Sequence, residues 1–251
     1  MAVVTFDRVS KYFHRHAGQM LLRDRVRHLL QPSPPERFYA LRGVSFAVEH
    51  GESLGIVGSN GAGKSTLLNV ATGVSLPSEG TVAVQGRLAA LLELGSGFHP
   101  DLTGAENVRI NAALLGLSRA KVRRRFDGIV EFSGIGDFID EPLRTYSAGM
   151  MMRLAFSVAI NVEPDVLIVD EVLGVGDQNF FAKCFEKILE FRRAGRTILC
   201  VSHALETLEN LCDRGLWLDR GQVVKAGPIG EVIQAYQDTP AAALQGTATG
   251  Q

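Results

Sequence analysis

The sequence predicts an α/β fold with a mostly parallel sheet, an antiparallel β subdomain at the N-terminus and a helical subdomain inserted near the middle. Three observations predict it. Short β-branched or apolar runs (VSFAV, ESLGIVG, DVLIVD, RTILCVSH, RGLWLDRGQVVKAG) alternate with longer helical patterns, the order that parallel strands with crossover helices require. Between about Pro100 and Asn161 the strand signal disappears and apolar residues recur at three- and four-residue spacing. A length of 251 residues with 46% hydrophobic content supplies a sizeable core, which argues against a disordered chain.

Taken in order, MAVVTFDRVSKYF reads as a first strand, and its acid at Asp7 and lack of a long apolar core argue against a secretory leader. From His14 to Arg37, Leu22, Val26, Leu29 and Leu30 share one helical face while Arg15, Arg23, Arg25 and Arg27 add charge, until Ser33-Pro34-Pro35 stops the pattern. A basic amphipathic helix of this kind suits lipid headgroups or a membrane partner; equally, it packs on its own domain with its charges solvated. VSFAV and ESLGIVG follow as strands, and a helix starts at Lys64. ENVRINAALLGL, RAKVRRRFDGIVEFSG and SAGMMMRLAFSVAIN form the helical subdomain, about 96–162. After the last strands, residues 238–251 are small and polar, bury little and are expected to form a disordered tail.

Twenty-six Lys and Arg against 27 Asp and Glu give a net charge of −1, so no global field draws the chain to nucleic acid, and any basic patch must be local. The longest uncharged stretch, Ser65 to Ser78, contains Asn69, Gly73 and Pro77 and is unsuited to crossing a bilayer. Cys184, Cys200 and Cys212 match no zinc or thioredoxin-like spacing and read as buried, reduced thiols. No period of 20 to 50 residues recurs.

GSNGAGKST, Gly58 to Thr66, follows the apolar strand LGIV and precedes the helical run LLNVATG, the context a phosphate-binding P-loop needs. Small residues let successive N–H groups of Ser59, Asn60, Gly61, Ala62 and Gly63 turn toward one centre, where the helix dipole also points. Lys64 is placed to reach the β and γ phosphates of ATP, and Ser65, beside Thr66, offers a hydroxyl to Mg²⁺. A second strand, VLIVDE, ends in Asp170 and Glu171, where open α/β sheets bind ligands. Asp170 suits water-mediated Mg²⁺ binding, and Glu171 suits the base that orients the attacking water. Tyr146-Ser147-Ala148-Gly149-Met150 opens a helix, with Ser147 as N-cap and Gly149 leaving room for a phosphate. RTILCVSH ends in His203, a candidate partner for the γ phosphate or the water.

P-loop, SAG helix, strand ending Asp-Glu and strand ending His, in that order, resemble the ATP-binding cassette family of transport ATPases, and the resemblance covers about residues 2–237. It implies one nucleotide-binding domain, 1–237, with a P-loop NTPase core, and a head-to-tail homodimer that sandwiches two ATP molecules. Ser147 and Gly149 would then touch the partner's γ phosphate, Asp177 of GVGD would bridge the subunits, and His203 would be the switch histidine. The family's Q-loop glutamine is missing from ALLELGSGFHPDLTG. Glu93 stands nearest that position, or Leu94 when counted back from Leu102, and a carboxylate there would ligate Mg²⁺ or sense the transport partner. The aromatic that stacks on adenine is expected in VSKYF, at Phe13 or its neighbour Tyr12.

YSAGMMMRLAFSVA, LLELGSGFHPDLTGAENV and the basic insert before FYALRGVSF look like one branch of that family, the ATPases that export O-antigen, teichoic acid or capsular polysaccharide. This implies a peripheral protein on the cytoplasmic face of the bacterial inner membrane, paired with two copies of a permease that carries lipid-linked polysaccharide. Because the sequence ends at Gln251, sugar recognition is expected in the permease or elsewhere. Another exported cargo, lipid or drug, is the alternative. A non-transport cassette acting on ribosomes or DNA fits less well with one cassette and near-zero charge.

Overall fold

The computed structural model describes residues 1–14, 37–91, 95–170, 178–202 and 204–239. Expectations that fall on the basic segment 15–36, on Glu93, Leu94, Glu171, Asp177 and His203, and on the tail from residue 240 therefore lie outside the described residues.

A six-stranded sheet has the order β5 (Leu88–Ala90), β6 (Val166–Val169), β7 (Thr197–Val201), β3 (Ser53–Val57), β8 (Arg214–Asp219), β9 (Gln222–Pro228). All its pairings are parallel except β8 with β9. The central strands are apolar at consecutive positions because both faces are covered. In β6, Val166 and Ile168 face one layer while Leu167 and Val169 face the other. On the first face lies a three-stranded antiparallel sheet, β1 (Ala2–His14) between β2 (Arg37–Glu49) and β4 (Glu79–Val84). Its Val4, Phe6, Leu41 and Val44 pack on the sheet together with Leu67 and Leu68 of helix α1 (Lys64–Ala71).

On the second face pack three of the later helices, α5 (Gln178–Arg193), α6 (Leu205–Leu211) and α7 (Ile229–Gln237). The helical layer between β5 and β6 holds α2 (Gly104–Leu114), α3 (Arg119–Ser133) and α4 (Ala148–Asn161). It has a core of its own, in which Val108 and Ala112 meet Val122, Ile129, Leu154 and Val158. α4 joins the two cores, since Leu154 and Val158 face the helical layer while Phe156 and Ile160 face the sheet. Side-chain caps start α2 and α4. Thr103 and Glu106 form a reciprocal capping box at α2, and Gly134, in the left-handed region, ends α3.

The three cysteines are free and buried. A hydrogen bond to Cys212, and burial after it, push the Cys200 thiol well above its ordinary range and hold it protonated.

Candidate nucleotide-binding site

β3 and β6 both run into β7 as parallel neighbours, so the segments that follow them emerge at the same end of the sheet. Two strand spacings, about 10 Å, separate them. The chain after β3 is Gly58 to Gly63, and the residue after β6 is Asp170. They share one cavity of about 350 Å³, lined by Ser59, Asn60, Gly61, Gly63, Lys64, Ser65 and Thr66 with Asp170 and Val201. Ala62 is not among the lining residues; it is buried, and its backbone ties the loop to the β8–β9 turn, where Gly221 N–H donates to Ala62 O at 2.8 Å.

Gly63 shows why the loop needs its glycines. Its φ is 107°, and a Cβ there would stand 2.4 Å from the Ala40 carbonyl oxygen, so an L-side chain meets both a disfavoured backbone and a collision. With Gly63 as N-cap, α1 begins at Lys64 and directs its free N–H groups at the cavity. The Lys64 ammonium lies over the loop, donating to Gly58 O at 2.7 Å and Ser59 O at 3.1 Å, and only 8% of the residue is exposed. A buried cation held by carbonyl oxygens at the start of a helix is a strong attractor for polyphosphate, whereas the Ala62 N–H, expected to point at the same centre, donates instead to Ser59 O at 3.1 Å and is taken up by the turn. Ser65 and Asp170, both lining the cavity, supply hard oxygen donors that fit Mg²⁺ alongside phosphate.

The remaining predicted residues divide. Ser147 caps α4, its Oγ accepting from Met150 N–H at 3.2 Å, while Ser147 itself stays exposed. Behind it Tyr146 is buried and donates its hydroxyl to Phe138 O; burial first, then Asp140 and Glu141, raise the phenol's pKa and keep it a donor. Neither Ser147 nor Gly149 lines the P-loop cavity of the same chain.

Strand alternation separates the two aromatic candidates. Phe13 pairs directly with Phe38 of β2, and Tyr12 with Tyr39, so each pair occupies one face of the ribbon. Phe38 and Ala40 line the phosphate cavity, and both phenyl rings are about half exposed. Tyr12 lies on the other face, where its ring meets Tyr39 and the Arg37 guanidinium at 4.5 Å from the ring centre. Phe38 is thus a lining residue that motif reading missed. The signal was the register of FYALRGVSF against VSKYF, which becomes visible only once the two strands are paired.

Fold and cavity together define a P-loop nucleotide-binding protein of the α/β class. Among solved structures it is similar to an ATP-binding subunit of an ABC transporter, with TM-score 0.74 and 23% identity over 97% of this chain and 98% of that one. It is also similar to the post-hydrolysis dimer of an ATP-binding cassette with ADP and phosphate bound, with TM-score 0.70 and 20% identity over 90% and 98%. The ABC transporter family description matches residues 41–174. An O-antigen export system ATP-binding protein of Klebsiella pneumoniae, RfbB, is 45% identical over 95% of this chain and 99% of its own length. The chain belongs to the ABC transporter family, as an ATP-hydrolysing subunit. An RfbB of Myxococcus xanthus is 51% identical over 79% of this chain, and a teichoic acids export ATP-binding protein, TagH, of Bacillus anthracis is 40% identical over 94%. The chain spans 46% and 42% of the lengths of those two relatives. Among the described residues no helix is long and apolar enough to cross a membrane.

Proposed function

We propose that the protein powers export of a lipid-linked polysaccharide of the O-antigen, teichoic acid or capsule type across the bacterial inner membrane, working peripherally on the cytoplasmic face beneath a separate permease. The observation that carries this is the cavity that joins Ser59–Thr66 to Asp170, in a chain 45% identical along nearly its whole length to an O-antigen export ATPase. Two copies of the chain pair head to tail, each P-loop facing the other copy's Ser147 and Gly149. The exposed, capped start of α4 supports that reading, because its N–H groups turn outward from their own subunit.

Hydrolysis is positioning and charge neutralisation. The loop N–H groups and Lys64 hold the β and γ phosphates, Glu171 accepts the proton of the water that attacks in line, His203 hydrogen-bonds the γ phosphate or that water, and Asp177 bridges the two copies. Ser65 and Asp170 would hold Mg²⁺, with Glu93 as a third oxygen donor, and the bound ion would neutralise phosphate charge. Phe38, with Phe13 opposite, gives the adenine ring an apolar face to stack on. The permease docks over the depression of about 270 Å³ between sheet and helical layer, where Val74 and Leu114 expose apolar surface beside Gly97 and Phe98. The domain responsible spans 1–237, with 96–162 as the helical subdomain that moves against the core.

The test is reconstitution with two copies of the permease and lipid-linked glycan, measuring phosphate release and glycan translocation together. Glycan-stimulated turnover is expected, and Glu171→Gln is expected to leave an ATP-bound dimer with turnover nearly abolished. Stimulation by phospholipid or drug without glycan would reassign the cargo, and wild-type turnover in Glu171→Gln would remove Glu171 from the mechanism.

A further inference from the structure

We propose that the groove on the solvent side of the α2–α3 hairpin is a docking site for a short acidic amphipathic helix of a partner chain. The groove holds about 930 Å³, against about 350 Å³ for the phosphate cavity. Ile110, Val122 and Phe126 give it an apolar lining, and Arg109, Arg119 and Arg123 stand exposed along it.

Many arginines elsewhere in the chain are paired. Arg87, Arg125, Arg144, Arg192, Arg196 and Arg214 each hold a carboxylate within ion-pair distance. Arg119 and Arg123 hold none among the described residues. Arg109 lies instead with its guanidinium 4.9 Å from the centre of the Phe126 ring, which fixes the head group at the groove wall. In a chain of net charge −1, three arginines stand along the groove against the single carboxylate of Asp127, with Glu106 acting on Arg109 from its own helix, which leaves a local excess of positive charge at Arg119 and Arg123.

The spacing selects a helix. Arg119, Arg123 and Asp127 follow one another at four-residue intervals, so their charges run along one line of α3 about 6 Å apart. Carboxylates at i and i+4 of a second helix recur at the same pitch, and Asp127 asks for a basic group one turn further on, which sets the register. Ala113 and Ala120 are exposed in the groove and small enough for a backbone to approach, while Ile110, 41% exposed, offers an apolar anchor. A concave seam between two helices fits a third helix better than a flat anionic bilayer.

The full-length protein is titrated, by fluorescence polarisation, with two synthetic amphipathic helices. One carries Leu on its apolar face with Glu at i and i+4 and Lys at i+8; the other has every charge inverted. The acidic helix is expected to bind at least about tenfold tighter. Arg119→Glu with Arg123→Glu should weaken it by at least about tenfold and restore binding of the inverted helix, and Ile110→Asp should weaken the acidic helix alone. All these residues are exposed and remote from the phosphate cavity, so ATP turnover should be unchanged. Equal binding of both helices, no binding of either, or indifference to charge reversal overturns the proposal. So does Arg119- and Arg123-dependent sedimentation with phosphatidylglycerol vesicles that the acidic helix fails to compete, which would make the groove a membrane contact.

Discussion

At the carboxyl ends of β3 and β6 the backbone does the positioning, whereas at the heads of α2 and α4 side chains do. Gly63 sits at a φ no L-residue favours, and the free N–H groups at the start of α1 are aimed by the turn itself. In the helical layer, Asn107 is fully buried and pins the preceding segment by accepting from His99 N–H and donating toward the carbonyls of His99, Leu102 and Thr103. Thr103 and Ser147 cap their helices through hydroxyls. A site built from backbone tolerates few substitutions and fails abruptly. One built from caps and clamps degrades in steps of a hydrogen bond or two.

The largest effect expected from this contrast is at Lys64. Lys64→Ala removes the buried cation that the loop carbonyls hold, and phosphate release is expected to fall at least about 100-fold with little change in the far-ultraviolet spectrum. Retained turnover would show that the N–H groups suffice alone. Next comes Gly63→Ala, where strain and the Ala40 oxygen together should destabilise the fold by about 2–4 kcal/mol in urea unfolding and weaken nucleotide binding. An unchanged midpoint would mean that the loop shifts freely, and the contrast with the helical layer would be lost.

On the clamped side, Asn107→Leu leaves the His99 N–H and the facing carbonyls buried without that partner, an expected loss of about 2–3 kcal/mol. The test is whether nucleotide affinity of the isolated subunit survives, as it should if the two regions are separately built. Ser147→Ala is milder, about 1 kcal/mol for a lost N-cap. Its effect on turnover should exceed that stability loss if the partner subunit reads the same hydroxyl. Equal, small effects on both would return Ser147 to a purely structural cap.

These differences also set what was legible in the sequence. The P-loop, the VLIVD strand and the SAG cap are local, so spacing alone singled out Gly58–Thr66, Asp170 and Ser147 as candidates, and the helical runs matched α2, α3 and α4. Phe38 was not legible, because its role depends on pairing with Phe13 across a long connection. β4 was missed for a related reason: EGTVAV is mostly exposed, and its pairing with β1 joins positions about 70 to 80 residues apart, from Ser10↔Glu79 to Val4↔Val84. The α2–α3 groove was invisible too, since Arg109 and Arg123 belong to different helices and only the hairpin brings them to one seam.

The smallest predicted effect separates two caps that look alike in sequence. At α2 the Thr103 hydroxyl accepts from Glu106 N–H and donates to the Glu106 carboxylate, which also accepts from Thr103 N–H. The backbone hydrogen bond first, then the hydroxyl, hold the Glu106 pKa below the ordinary carboxylate range. A carboxylate depressed in the folded state stabilises the fold above its unfolded pKa, and that contribution disappears as pH falls through the folded value. Glu106 is fully exposed to solvent screening, so the effect is slight and best read directly, by following its side-chain carboxyl resonance through an acid titration. Thr103→Ala deletes the hydroxyl and keeps the residue's N–H, so the midpoint should move up only part of the way toward the ordinary value. At α4 the corresponding position is Met150, which has no charge to lose. Its cap should therefore hold at an acidity where that of α2 opens, and amide exchange at Met150 and Glu106 across that range will show whether it does.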